Sequence, residues 1–322
     1  MQQSILVLGA NGFIGRRVVA ALGATGWAAP ILGVRRPAKL PGTGYEQRPV
    51  EATDVESVAA AMKDVSGVVN CVAGDALAGA RALFDAAARF TPPRHIVHLS
   101  TMSVYGSAEG VVDETAPMRP DLGPYSESKV AAEAVAATYP AVTIFRPGCV
   151  FGPQSEQWTI RFARLLIARR LGDLGAAGDG CCNLVHVDDV ALAIVRALET
   201  PQDGARMFNL SINEQPTWNE FLVRFGTALR AVPIRRITAR RLKIEGKLLA
   251  PPLKIAEILS RAAKLGPHRL PPPIPPSLLR LMGQDIRLDT RRVETELGQR
   301  WQSLQASIED TARWYLSSGA RS

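Results

Sequence analysis

Ser4-Ile5-Leu6-Val7-Leu8-Gly9-Ala10-Asn11-Gly12-Phe13-Ile14-Gly15 joins a short apolar run to a turn with three glycines, and a helical pattern continues from Phe13 to Leu22. A strand that feeds a helix through such a turn gathers backbone amides at the positive end of the helix dipole, where a pyrophosphate can bind. Glycine lets the main chain turn tightly and approach the phosphate closely. The spacing is GxxGxxG, one residue longer at its start than the GxGxxG fingerprint. The strand before and the helix after favour dinucleotide binding over a purely structural turn. Gly9, Asn11, Gly12, Phe13, Ile14 and Gly15 are the contacts expected there.

The same alternation continues outward. Pro30 to Val34, Val68 to Cys71, His95 to Ser100 and Val142 to Arg146 read as further strands. Alanine-rich helical stretches separate them, at Val55 to Met62, Ala76 to Phe90 and Tyr125 to Ala137. Repeated strand and helix units imply a parallel sheet covered on both faces, with ligands at the carboxyl ends of its strands.

The second half is less regular. Trp158 to Arg170, Val187 to Leu198 and Thr217 to Leu229 read as helices, the last with Glu220 three residues after a Thr cap. Met207 to Leu210 reads as a strand, and Ser303 to Tyr315 as a closing helix. Proline removes amide donors, so helix is expected to break at Pro251-Pro252 and at Pro271-Pro272-Pro273 with Pro275-Pro276. The expected organisation is a nucleotide-binding core over 1–170 and a mainly substrate-binding lobe over 171–322, with 183–210 returning to the core.

The chain has 322 residues, 47% hydrophobic and 21% charged, enough for a sizeable core. No run approaches the ~18 uninterrupted apolar residues of a membrane span, and Met1-Gln2-Gln3-Ser4 is unlike a secretory leader. Cys71, Cys149, Cys181 and Cys182 lack CxxC spacing and read as reduced thiols of a cytoplasmic protein. His95, His98, His186 and His268 sit in no metal-binding pattern, so no metal is expected. The net charge of +8 is uneven: Arg230 to Arg292 holds 15 Lys and Arg against 4 Asp and Glu. That segment could meet an anionic substrate, an acidic membrane surface or only solvent. Few aromatics interleave there, which argues against nucleic acid.

Val34-Arg35-Arg36-Pro37 stands about 20 residues after Gly15, where an acidic residue would bind an adenosine ribose with a free 2′-hydroxyl. Arg35 and Arg36 instead suit a 2′-phosphate, which favours NADP(H) while leaving NAD(H) open. Asp54, with Val55 after it, either lies near the adenine or caps a helix. Farther on, Pro124-Tyr125-Ser126-Glu127-Ser128-Lys129 spaces a phenol and an ammonium by one helical turn. An adjacent ammonium favours the phenolate, so Lys129 is expected to lower the Tyr125 pKa. His98-Leu99-Ser100-Thr101-Met102-Ser103-Val104-Tyr105-Gly106 ends a strand in clustered hydroxyls, 24 residues before Tyr125 at Thr101.

In this order, these segments resemble the extended short-chain dehydrogenase/reductase family of NAD(P)-dependent epimerases, dehydratases and reductases. Asn70-Cys71-Val72-Ala73-Gly74, Arg146-Pro147-Gly148-Cys149-Val150-Phe151-Gly152-Pro153 and Leu184-Val185-His186-Val187-Asp188-Asp189-Val190 add to the likeness, which spans about residues 4 to 210. The resemblance implies a Rossmann-type doubly wound α/β fold with a smaller, mostly helical C-terminal lobe. It implies Tyr125 as general acid/base, Lys129 as the group that lowers its pKa and bonds the nicotinamide ribose, and Thr101 as the residue positioning the substrate oxygen. It adds Val72, Ala73, Gly74, Ser100, Pro147 and Val150 to the cofactor contacts.

The sequence departs from the sugar-nucleotide members of that family at Leu8, at Phe151 and at Cys149, where many of them present an asparagine to substrate. An NADP(H)-preferring oxidoreductase of a carbonyl or alcohol group is therefore expected. A nucleotide-sugar epimerase or dehydratase is the alternative, and a non-catalytic NADP(H)-binding sensor is an alternative of another class. For a nucleotide sugar, the basic excess after Arg230 and Arg161, Arg164, Arg169 and Arg170 could hold the diphosphate. Leu248-Leu249, Ile255 and Leu278-Leu279 could instead admit an apolar carbonyl substrate. By resemblance the protein is a monomer or homodimer.

Overall fold

The computed structural model describes residues 2–36, 44–200, 204–262 and 272–318. Strand β1 (Gln3–Leu8) leads into helix α1 (Phe13–Ala24), followed by β2 (Ala28–Val34), β3 (Gln47–Pro49) and α2 (Val55–Ala61). The chain then passes through β4 (Gly67–Asn70), α3 (Ala76–Ala87), β5 (His95–Leu99), β6 (Gly110–Val112) and α4 (Pro124–Ala136). After these come β7 (Val142–Pro147), β8 (Cys149–Phe151), α5 (Arg161–Ile167), β9 (Leu184–His186), α6 (Val187–Glu199) and β10 (Arg206–Leu210).

Seven of these strands form one parallel sheet in the order β10-β7-β5-β4-β1-β2-β3. The chain runs from β1 outward to β3 and then returns to β4 on the other side of β1. The strand order therefore reverses between β1 and β4, and the crevice beyond their carboxyl ends is the ligand position of such sheets. The expected fold class is observed.

Period-two alternation explains why β1 reads as continuously apolar. Ile5 and Val7 join the core beneath α1 and α6, whereas Leu6 and Leu8 join the core beneath α2, α3 and α4. A strand covered on both faces has no solvent side on which to place polar residues.

The remaining elements are α7 (Trp218–Ala228), α8 (Ala239–Ile244), α9 (Ala250–Ala262), α10 (Pro276–Gly283), β11 (Ile286–Leu288), α11 (Arg291–Glu296) and α12 (Leu304–Ser317). Thr217 and Glu220 form the expected capping box at the start of α7. Trp158, Phe162, Trp218, Phe221 and Phe225 build an aromatic cluster joining α5 to α7, and α12 packs its Leu304, Ile308 and Tyr315 into the same core. Trp301, ahead of α12, packs against both this core and the core beneath α1.

One expectation is corrected here. Helix does not break at Pro251-Pro252: α8 passes through a π-helical turn, Glu245–Leu249, directly into α9. The Ala250 amide donates to the Glu245 carbonyl five residues back, and the prolines occupy the next positions, at the start of a fresh helical segment, where a missing amide is tolerated. At the second cluster, 272–275 is non-helical as expected and Pro276 opens α10; Pro271 lies outside the described residues.

Candidate active site

Gly9 adopts φ +76°, and a Cβ there would come within 3.0 Å of the Cys71 carbonyl oxygen. A Cβ on Gly15 would lie 2.2 Å from the Gly9 carbonyl oxygen, so only glycine lets α1 pack onto its own turn. Gly12 caps α1 with no side-chain bond, and no acidic residue stands in the first turn. Phe13 and Ile14 pack against the core, leaving their main chain for a ligand. Among the described residues, the Asn11 Oδ1 and Ser100 Oγ atoms are buried without a hydrogen-bond partner. An uncapped helix start, a glycine cradle and two orphaned polar atoms together fit a dinucleotide with its pyrophosphate over α1.

The loop after β4 is tied to β5. Asn70 accepts from the Val72 amide at 3.1 Å, and its Nδ2 lies 3.1 Å from Nδ1 of His98. Burial lowers the His98 pKa to about 3, with the Lys129 charge acting in the same sense, so His98 is neutral and its Nδ1 accepts. Ala73 and Gly74 follow this pinned amide, and a Cβ on Gly74 would meet nothing, so packing does not demand glycine there. Pro147 ends β7 and Val150 lies in β8, both buried.

At the end of β2, Nε of Arg35 lies 3.5 Å from Oε2 of Glu51, and Arg36 is exposed. Asp54 caps α2 by accepting from the Ser57 amide at 2.6 Å, and Val55 is half-buried beside it. Of the two readings of Asp54, the cap is the one seen.

Gly123, at φ +92°, turns the chain into Pro124 at the start of α4, so Tyr125 lies in the first helical turn and Lys129 one turn later. The Lys129 Nζ donates to the carbonyl oxygen of Leu99, the last residue of β5, at 3.3 Å. Thr101 follows that strand; its Oγ1 accepts from the Ser103 amide at 3.2 Å, and its hydroxyl also faces the Tyr125 phenol.

Burial raises the Tyr125 pKa, with the Thr101 hydrogen bond opposing. The residue is nonetheless 63% exposed, so water access limits how far this rise can go. The net shift is upward, against the lowering expected from Lys129, whose ammonium donates to the Leu99 carbonyl. Burial lowers the Lys129 pKa, and the Glu133 carboxylate works against that. The phenol is thus protonated at neutral pH.

The sequence reading passed over Glu133, one turn beyond Lys129 on the same face, although the four-residue spacing 125, 129, 133 signals it. Arg146 donates from Nε to Oε1 of Glu133 at 2.8 Å and from Nη1 to the Tyr105 hydroxyl at 2.8 Å. Tyr105 in turn donates to Oδ1 of Asn209 at 2.6 Å, linking β7, α4 and β10 through buried polar groups.

Of the arginines offered for a diphosphate, Arg170 is committed elsewhere and two others carry exposed ion pairs. Arg170 pairs with the buried Glu245 and donates to the Pro272 carbonyl, Arg236 pairs with Asp173, and Arg291 pairs with Asp289. Cys149 is 3% exposed and offers substrate no contact as it stands. Among the described residues, no three His, Cys, Asp or Glu side chains gather as a metal site, and no helix is long and apolar enough to cross a membrane.

The model of the NAD dependent epimerase/dehydratase family matches residues 5–211. A ceramide reductase of Caulobacter vibrioides is 27% identical over 222 residues, 68% of each chain. Among solved structures, MoeE5 in complex with UDP-glucose and NAD superposes with a TM-score of 0.71 at 22% identity, covering 98% of this chain and 99% of its own. A dTDP-glucose 4,6-dehydratase of Bacillus anthracis in complex with NAD gives 0.73 at 20% identity, covering 98% and 97%. These likenesses in fold extend through the C-terminal lobe. With the matched region holding the glycine turn, Thr101, Tyr125 and Lys129, the chain belongs to the NAD dependent epimerase/dehydratase family and is an NAD(P)-binding enzyme of the extended short-chain dehydrogenase type.

Proposed function

We propose that this enzyme is an NADP(H)-preferring reductase of an apolar carbonyl substrate. The observation that carries the reading is the meeting of Thr101 and a protonated Tyr125 phenol at the end of β5, with Lys129 held alongside. Bound nicotinamide would supply or accept the hydride. Thr101 orients the substrate oxygen, and Tyr125 delivers a proton to it as negative charge develops. Lys129, at the Leu99 carbonyl, stands where a ribose hydroxyl could take one of its donors.

Arg35 and Arg36 support the cofactor preference. The 3.5 Å contact of Arg35 with Glu51 is an exposed pair worth about 0–1 kcal/mol, weak enough to yield to a phosphate. The buried Cys149, the committed Arg170 and the ceramide reductase relative favour an apolar substrate. A second reading, nucleotide-sugar epimerase or dehydratase, is favoured by the likeness in fold to MoeE5 bound to UDP-glucose, which extends over 98% of this chain.

The deciding experiment offers apolar ketones, including oxidised ceramide analogues, in parallel with UDP- and dTDP-sugars. Net NADPH consumption with a ketone, lost in Tyr125→Phe, supports the reductase. Sugar conversion with no net change in cofactor overturns it in favour of the second reading.

A further inference from the structure

The helix that runs from Ala239 through the π turn to Ala262 has two unlike faces. Its inner side, Leu242, Glu245, Gly246 and Ala250, is buried. Leu242 enters the lobe core, Glu245 pairs with Arg170, and a Cβ on Gly246 would stand 3.2 Å from Leu279. The helix is therefore held by one side to the body of the lobe.

Its outer side is apolar and open. Six of the twelve large apolar side chains exposed among the described residues lie on this one helix. Leu248 is 67% exposed, Ile255 60%, Ile258 55% and Leu259 64%, with Ile244 and Leu249 partly so. Scattered exposed leucines need no explanation, but a cluster at helical spacing does. Ile244, Leu248, Ile255 and Leu259 follow i, i+4, i+11 and i+15, which places them along one stripe.

A row of lysines runs parallel to this stripe. Lys243, Lys247 and Lys254 each precede one of its members, so these side chains leave the helix roughly a quarter turn around from the apolar row. All three are exposed, as is Arg240. Between 239 and 262 stand six Lys or Arg and two Glu, and Glu245 is buried against Arg170. Protein interfaces deplete lysine at their centres, whereas helices lying in a bilayer surface pair an apolar stripe with flanking lysines whose stems reach up to the headgroups.

We propose that this face docks the enzyme onto an anionic lipid surface, with Leu248, Ile255 and Leu259 entering the headgroup boundary and Lys243 and Lys247 meeting acidic lipids. The inference stands apart from the substrate reading, because it concerns binding to a bilayer and needs no turnover.

The test is sedimentation of the full chain with vesicles containing roughly 30% phosphatidylglycerol, against vesicles of phosphatidylcholine alone. Binding to the anionic vesicles that weakens as salt is raised is expected. Lys243→Glu/Lys247→Glu and Leu248→Ser/Ile255→Ser/Leu259→Ser should each lower the bound fraction at least about tenfold, whereas Arg81→Glu, on α3, should not. Every changed side chain is exposed, so cofactor binding and the thermal transition are expected to persist, and the single Lys247→Glu provides a milder check. Failure of the wild type to bind, or equal binding by all variants, overturns the proposal. So does light scattering that shows a dimer which the apolar variant converts to monomer, for then the face belongs to a second copy of the chain.

Discussion

The Nε of Arg146 donates to Oε1 of Glu133 at 2.8 Å, and both side chains lie almost wholly out of water. Glu133 stands one turn past Lys129 on α4, so this pair fixes the helix that carries Tyr125 and Lys129 against β7. Breaking it from one side leaves a buried guanidinium without its counter-charge. Glu133→Gln is expected to destabilise the protein by about 3–5 kcal/mol in urea unfolding, and Glu133→Gln/Arg146→Met should recover part of that loss.

Tyr125→Phe should lower turnover by about 10²- to 10⁴-fold while NADPH binding, followed by its fluorescence, persists. Because burial raises the phenol pKa, the wild-type reduction rate should be flat through neutral pH. It should fall only as the medium becomes alkaline enough to remove the phenolic proton. A fall centred below pH 8 would assign the proton to another group.

Arg35→Ala should weaken NADPH binding by about 10- to 100-fold, the worth of a charge-assisted hydrogen bond of about 1.5–3 kcal/mol, with NADH little changed. Glu51→Ala should free Arg35 and leave NADPH binding equal or tighter. Parallel titration of the two cofactors separates these outcomes from a general loss of the site.

His98 accepts from Asn70 in its neutral form, and burial lowers its pKa to about 3. Its folded value lies below the ordinary 6.5, so the unfolded chain takes up the proton first as pH falls. The stability that His98 contributes is complete above about 6.5 and is lost progressively toward pH 3, at up to about 1.4 kcal/mol per pH unit. His98→Gln should have a shallower acid slope in urea unfolding at successive pH values, and an unchanged slope would sink the assignment.

The glycine turn, the strand alternation and the Thr217 capping box were legible because each depends on residues a few positions apart. Tyr125 and Lys129 could be paired by their four-residue spacing, whereas Thr101, 24 residues earlier, was expected only through the family resemblance. What could not be read is set by distant partners. Arg170 looked free for a diphosphate until Glu245, 75 residues on, was found beside it. The Tyr105 bond to Asn209 spans 104 residues and leaves no local pattern. Pro251-Pro252 misled for a different reason: the rule that proline breaks helix assumes an α-helical approach, and a π turn supplied another. The direction of the Tyr125 shift also depended on geometry, because spacing alone could not show the burial that raises it.

Trp301 touches the core beneath the sheet and the core of the lobe, while its indole Nε1 donates to Glu294 at 2.7 Å. The core beneath α1 also contains Val190 and Ile194 from α6, Phe208 from β10 and Val293 from α11. The nucleotide-binding half consequently draws its own interior from sequence far beyond residue 170. The two halves are expected to melt as a single cooperative transition, and a truncation at residue 170 to remove a wall of the sheet's interior rather than release an independent module.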